Sequence, residues 1–150
     1  MAALFAFLHH VSAFTLFAAL MVEFILLRGT LTVENARKIL RADTMLGISA
    51  TVLLVVGLAR VFHFEKGAYY YFHTWTFIAK LSLFIIIGLV SIVPTMEFRR
   101  WSPALKAGKM PVVDPQKVKS IRSILHYEMA GAVLIMLFAA LMAKGIGLLT

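Results

Sequence analysis

The sequence predicts an all-α integral membrane protein, a four-helix bundle with both termini on the outer, periplasmic side. Three observations carry that prediction. Of the 150 residues, 61% are hydrophobic and only 15% charged, with a mean hydropathy of +0.91, far from the balance of a water-soluble domain. The apolar residues fall into long runs, each close to the roughly 20 residues that cross about 30 Å of hydrocarbon. The basic residues are confined to the segments between those runs.

Between Met1 and Arg28 the only charged side chain is Glu23, so the first span covers about residues 3–27. Its positive charges follow the run rather than precede it, and no A-x-A site closes a short apolar core, so it reads as a retained span and not a signal peptide. The second span runs from Thr44 to about Phe64 with Arg60 inside it, the third from about His73 to Met96 with Lys80 inside it, and the fourth from about Leu125 to Ala143. Pro94 is expected to bend the third span near its inner end. Gly131 with Ala132, Ala139, Ala140 and Ala143 lets a neighbour approach the fourth closely.

The connections are short enough to make residues 1–150 one domain, without internal repeats. "TVENARKILRAD" has helical periodicity, with Val33, Ala36, Ile39 and Leu40 on one side, and reads as an amphipathic helix lying on the headgroups. "SPALKAGKMPVVDPQK" carries prolines and a glycine and reads as irregular. The first basic segment holds Arg28, Arg37, Lys38 and Arg41; the second holds Arg99, Arg100, Lys106, Lys109, Lys117, Lys119 and Arg122. The opposite side has only Arg60, Lys66 and Lys144, so the positive-inside rule places both basic loops in the cytoplasm of a bacterial inner membrane. A net charge of +8 distributed in this way implies anionic lipid as the partner, not nucleic acid. "YYYFHTW" reads as the outer aromatic belt and Trp101 as the inner one.

Cysteine is absent, which excludes disulfides, thiolate metal sites, iron–sulfur clusters and covalent c-type haem. Any metal or haem must be held by His, Met or carboxylate. The stretch "ALFAFLHHVSAF" places His9 and His10 near the outer end of span one; Arg60 and His63 lie near the outer end of span two, and His73 opens span three. Lys80 is about 10 Å deeper than His73. At about 100° per residue, His9 shares a stripe with Ala13, Leu16 and Leu20 while His10 points away, and His73, Lys80, Phe84, Ile87 and Ser91 form a second stripe. Of the seven acidic residues only Glu65 falls on the outer side, so Arg60 and Lys80 lack counter-charges there and invite an anionic ligand. Glu23 is expected to pair with Arg28 or a base of the second loop.

From Ala42 to Trp101 the chain resembles a small bacterial inner-membrane family known only as a domain of unknown function. The shared features are Gly47-Ile48-Ser49-Ala50, Gly57 with Arg60, the Phe64-Glu65-Lys66-Gly67 turn followed by tyrosines, Lys80, and Pro94-Thr95 leading to Phe98-Arg99 and Trp101. The first-span histidines and the closing "ALMAKGIG" extend the resemblance over essentially the whole chain. More remotely, that family is similar to CopD-like copper-resistance proteins and to haem-containing bacterial protoporphyrinogen oxidases. The oxidases have an early first-span histidine, matched by His9 or His10, and a third-span lysine, matched by Lys80. They also have a histidine two residues before that lysine, where this chain has Ile78; His63 or His73 could substitute for it.

The expected function is noncovalent binding of b-type haem in the outer half of the bundle, for electron transfer or porphyrin-related redox chemistry. Axial imidazoles would come from His9, His63 and His73, and the haem propionates would meet Arg60 and Lys80. Copper or zinc held by His9, His10, His63 and His73, with Glu65, is the alternative. A third reading is an accessory or assembly subunit that recognises lipid, a second copy or a partner helix without chemistry of its own. Hydrolytic catalysis ranks below these, because the outer half offers no paired carboxylates and no nucleophile, base and orienting group together.

Overall fold

The computed structural model describes residues 1–64 and 66–149. Helix α1 (Ala2–Arg28) is followed by α2 (Val33–Ala59), which a π-helical turn over Arg60–Phe64 prolongs. A short α3 (Ala68–Phe72) leads to α4 (Trp75–Val90), α5 (Ile92–Lys106) continues the same span after a break at Ser91, and α6 (Pro115–Ala143) closes the bundle. Four spans result, Ala2–Arg28, Val33–Phe64, Trp75–Lys106 and Pro115–Ala143, and within their apolar windows only 11–28% of residues are buried inside the protein. The remaining apolar side chains, among them Phe14, Val55, Ile86, Leu89 and Leu137, point outward. An outward-facing apolar surface of that extent requires lipid. Helix α1 packs along α2 and α4 along α6, and the two pairs join through α1 against α6 and α2 against α5.

The helices extend past the apolar runs at the end that carries the basic loops. There Leu27, Ala36, Ile39, Phe98, Trp101, Leu105, Ile121 and Leu125 bury one another in a core of ordinary soluble character. Two sequence expectations change as a result. "TVENARKILRAD" is no separate surface helix but the start of α2: Thr32 caps it by accepting from the Asn35 amide, and Ala36 and Ile39 turn inward to full burial. Its apolar stripe found protein instead of headgroups. Trp101 is likewise not a belt residue, since it is 2% exposed and its indole donates to Glu97 Oε1 at 3.3 Å. Glu97 also meets Lys117 Nζ at 3.0 Å.

The basic residues at this end do more than face lipid. The Arg122 guanidinium donates to the Leu27 carbonyl at 2.8 Å, and that of Arg37 donates to the Leu105 carbonyl at 2.8 Å. The Arg122 bond serves a carbonyl that the C-terminus of α1 leaves open, and the Arg37 bond adds to the one that the Leu105 carbonyl accepts from the Gly108 amide. Arg28 does not pair with Glu23; its guanidinium lies over the Phe24 ring, 5.4 Å from the centroid.

In the third span the break at Ser91 falls three residues before Pro94, whose ring clashes with the carbonyl four residues back and lacks the N–H that would bond it. The loop between α5 and α6 is shorter than its composition suggests. Helix α5 runs through Pro103 to Lys106, and α6 starts directly at Pro115 with Asp114 as its cap, accepting from the Gln116 amide at 2.9 Å. At the opposite end, the chain after α6 folds back on the start of α4. The Trp75 amide donates to the Gly147 carbonyl at 2.9 Å, and the Leu149 amide to the His73 carbonyl at 2.8 Å. Thr76 Oγ1 donates to the Ile146 carbonyl at 3.1 Å.

Candidate functional site

At the end of the bundle that carries both termini, a cavity of about 130 Å³ lies between the helices, bounded by His9 of α1, Gly57, Arg60 and Val61 of the second span, Tyr71 of α3, and Lys80 and Phe84 of α4. Leucines of α2 and α4 with Ile135 and Met142 of α6 complete an apolar wall. The arrangement follows from helix geometry. Gly57, Arg60 and Val61 share one side of the second span at i, i+3 and i+4, as Phe77, Lys80, Leu81 and Phe84 do on α4.

His9 packs against the second span. Its ring lies directly on the α2 backbone, where a Cβ at Gly57 would stand 3.3 Å from Cε1 and 3.5 Å from Nδ1. Its Nδ1 is buried and meets no hydrogen-bond partner among the described residues. Arg60 and Lys80 line the same cavity. Lys80 Nζ lies over the Phe77 ring at 5.2 Å. Arg60, Tyr71 and Lys80 each have an interaction within the chain, so neither cation is stranded in the way that the distribution of acidic residues implied.

Of the residues expected to form the site, His9, Arg60 and Lys80 converge on this cavity, whereas His63 and His73 stand outside its lining. Both are exposed. His63 sits on the π-helical turn with its ring edge toward Phe64. His73 stacks on Tyr69 at 4.0 Å and its Nδ1 lies 2.8 Å from the Tyr69 carbonyl. His10 points away as its helical phase requires, with Nδ1 at 2.6 Å from the Ala6 carbonyl. Among the described residues no three His, Asp or Glu side chains are grouped so that they could hold a metal ion. Glu65, expected to assist a copper or zinc site, lies outside the described residues.

Tyr71, which the sequence places in the outer aromatic belt, lines the cavity, and so does Met142 of α6. Tyr71 is 7% exposed, while Tyr69, two positions earlier, is 80% exposed. Three consecutive tyrosines carry no signal that separates them until the α3 turn fixes which one faces in.

Chemically, the site joins one imidazole and two cations to an apolar wall. It can ligate through nitrogen, bind an acidic group, and shelter a hydrocarbon or ring surface. Residues 1–147 match the family model described as "Predicted membrane protein (DUF2214)". No curated protein matches the chain, and no solved structure does.

Proposed function

The chain belongs to the DUF2214 family of predicted membrane proteins, and from that premise we propose that it binds a flat, apolar ligand with acidic groups, specifically b-type haem held noncovalently at the His9 cavity. The observation that carries this reading is the convergence of His9, Arg60 and Lys80 on one otherwise apolar lining. The donor set fits the group. His9 would hold the haem iron through its imidazole, and Arg60 and Lys80 would attract the two propionates. A haem held there would supply electron-transfer or porphyrin-related redox chemistry.

The protein's part is to orient and exclude. The apolar side chains of α2, α4 and α6 keep water from one side of the imidazole and strengthen its interaction with charge. The location we propose is a bacterial inner membrane with both basic loops cytoplasmic and anionic lipid against them, on the strength of the lysine and arginine asymmetry.

The test is the reduced-minus-oxidised spectrum of protein purified from haem-replete cells. A Soret band that disappears in His9→Ala while the protein remains folded is expected. A colourless native preparation overturns the reading, and a stoichiometric copper or zinc content in elemental analysis would replace it with metal handling.

A further inference from the structure

The basic-loop half of the bundle contains a second polar assembly that the cavity does not use. Each of the four spans contributes to it: Glu23 from α1, Asp43 from α2, Ser91 and Thr95 from the third span, and Glu128 from α6. We propose that Glu23, Asp43 and Glu128 form an intramembrane proton-binding site, with Thr95 as its fixed donor.

The carboxylates are buried, at 1% exposure for Glu23, 8% for Asp43 and 2% for Glu128. The α1–α2 register set by His9 on Gly57 and the α1–α6 register set by Phe24 on His126 put Glu23 level with Asp43 and with Glu128. Two of the groups also keep an open oxygen: Glu23 Oε1 and Glu128 Oε1 have no hydrogen-bond partner among the described residues. An ionised oxygen in that position costs several kcal/mol in a low-dielectric interior. A proton removes the charge and turns the same oxygen into a donor.

The Thr95 hydroxyl organises the cluster. Ser91 and Thr95 stand one helical turn apart, and Thr95 Oγ1 donates to Asp43 Oδ1. That bond ties the third span to α2.

The neighbouring charged groups have other engagements. On α1, Arg28 lies on Phe24; on α6, Arg122 donates to the Leu27 carbonyl and His126 packs against Phe24. On α5, Glu97 meets Arg100 and Lys117. Arg99 shares a surface pocket with Asp43 and Thr95. The acidic side chains are not grouped as a metal site among the described residues, which favours protons over a metal cation as the ligand.

Infrared difference spectroscopy of the full chain in lipid nanodiscs tests the proposal. A carbonyl stretch from protonated carboxylic acid is expected at neutral pH, sensitive to deuterium exchange, with loss of part of the band in Glu23→Gln and in Glu128→Gln. Because either variant could misfold, wild-type protein grown with isotope-labelled glutamate provides the second measurement, and the band must shift. A missing band overturns the proposal, as does a band that glutamate labelling leaves in place. Loss of the band on adding sodium at constant pH also overturns it, in favour of a cation site.

Discussion

The imidazole of His9 rests on the backbone of Gly57, so closely that a single methyl group there would stand 3.3 Å from Cε1. Helices α1 and α2 therefore touch through a histidine at a position where α2 presents no side chain. Gly57→Ala gains about 0.8–1 kcal/mol of helix propensity but pushes the ring by a few tenths of an ångström. The expected result is a melting temperature close to wild type with haem retention lowered several-fold. Gly57→Leu should fill the cavity and reduce retention by at least about tenfold, equivalent to about 1.4 kcal/mol. Soret absorbance per mole of protein, measured beside a melting curve, separates ligand loss from unfolding.

Lys80 and Arg60 approach the same cavity from opposite helices, and the proposed ligand needs their charge rather than their shape. Lys80→Met should lower haem retention by about tenfold, whereas Lys80→Arg should stay within about threefold of wild type. Equal retention in all three proteins would remove Lys80 from the site.

Much of the bundle is legible in the sequence because the bilayer imposes length and polarity so strictly. The stripe of His73, Lys80, Phe84, Ile87 and Ser91 is an example past its first member: Lys80 and Phe84 line the cavity and Ile87 fills the space over Gly131, while His73 stands outside the lining. Helical phase also separates His9 from His10. Phase within a helix says nothing, however, about how a terminal turn is wound. His63 falls on the π-helical turn and His73 at the end of α3, and both turn outward there. The carboxylate cluster was illegible for another reason. Glu23, Asp43 and Glu128 are far apart in sequence, and each taken alone reads as an interfacial acid next to a basic loop.

Gly147 closes the bundle at the cavity end. Its φ is +108°, and a Cβ there would stand 2.8 Å from Trp75 Nε1 and 2.9 Å from Thr76 Cγ2. Backbone strain and collision act together, so Gly147→Ala should cost about 1–3 kcal/mol and release the turn that covers the first residues of α4. The expected observation is faster amide hydrogen exchange at Trp75 and Leu149, whose N–H groups take part in this turn. Gly88, where a Cβ meets nothing within 4 Å, is the control, and Gly88→Ala should leave exchange unchanged.

Arg122 and Arg37 separate two effects of positive charge at the basic-loop end. Both residues count toward membrane orientation, yet each also holds a helix-terminal carbonyl at 2.8 Å, Leu27 for Arg122 and Leu105 for Arg37. A hydrogen bond from a charged donor is worth about 1.5–3 kcal/mol, and removing the donor leaves the carbonyl open in a packed region. Arg122→Met should therefore lower stability in detergent by about that amount, while orientation, carried by many other basic residues, stays the same in reporter fusions. Arg122→Lys is the decisive variant. It keeps the charge but lacks the planar fork and reach of the guanidinium, so it should recover only part of the loss. Full recovery by lysine would mean that charge alone matters at this position and that the bond to the Leu27 carbonyl contributes nothing measurable.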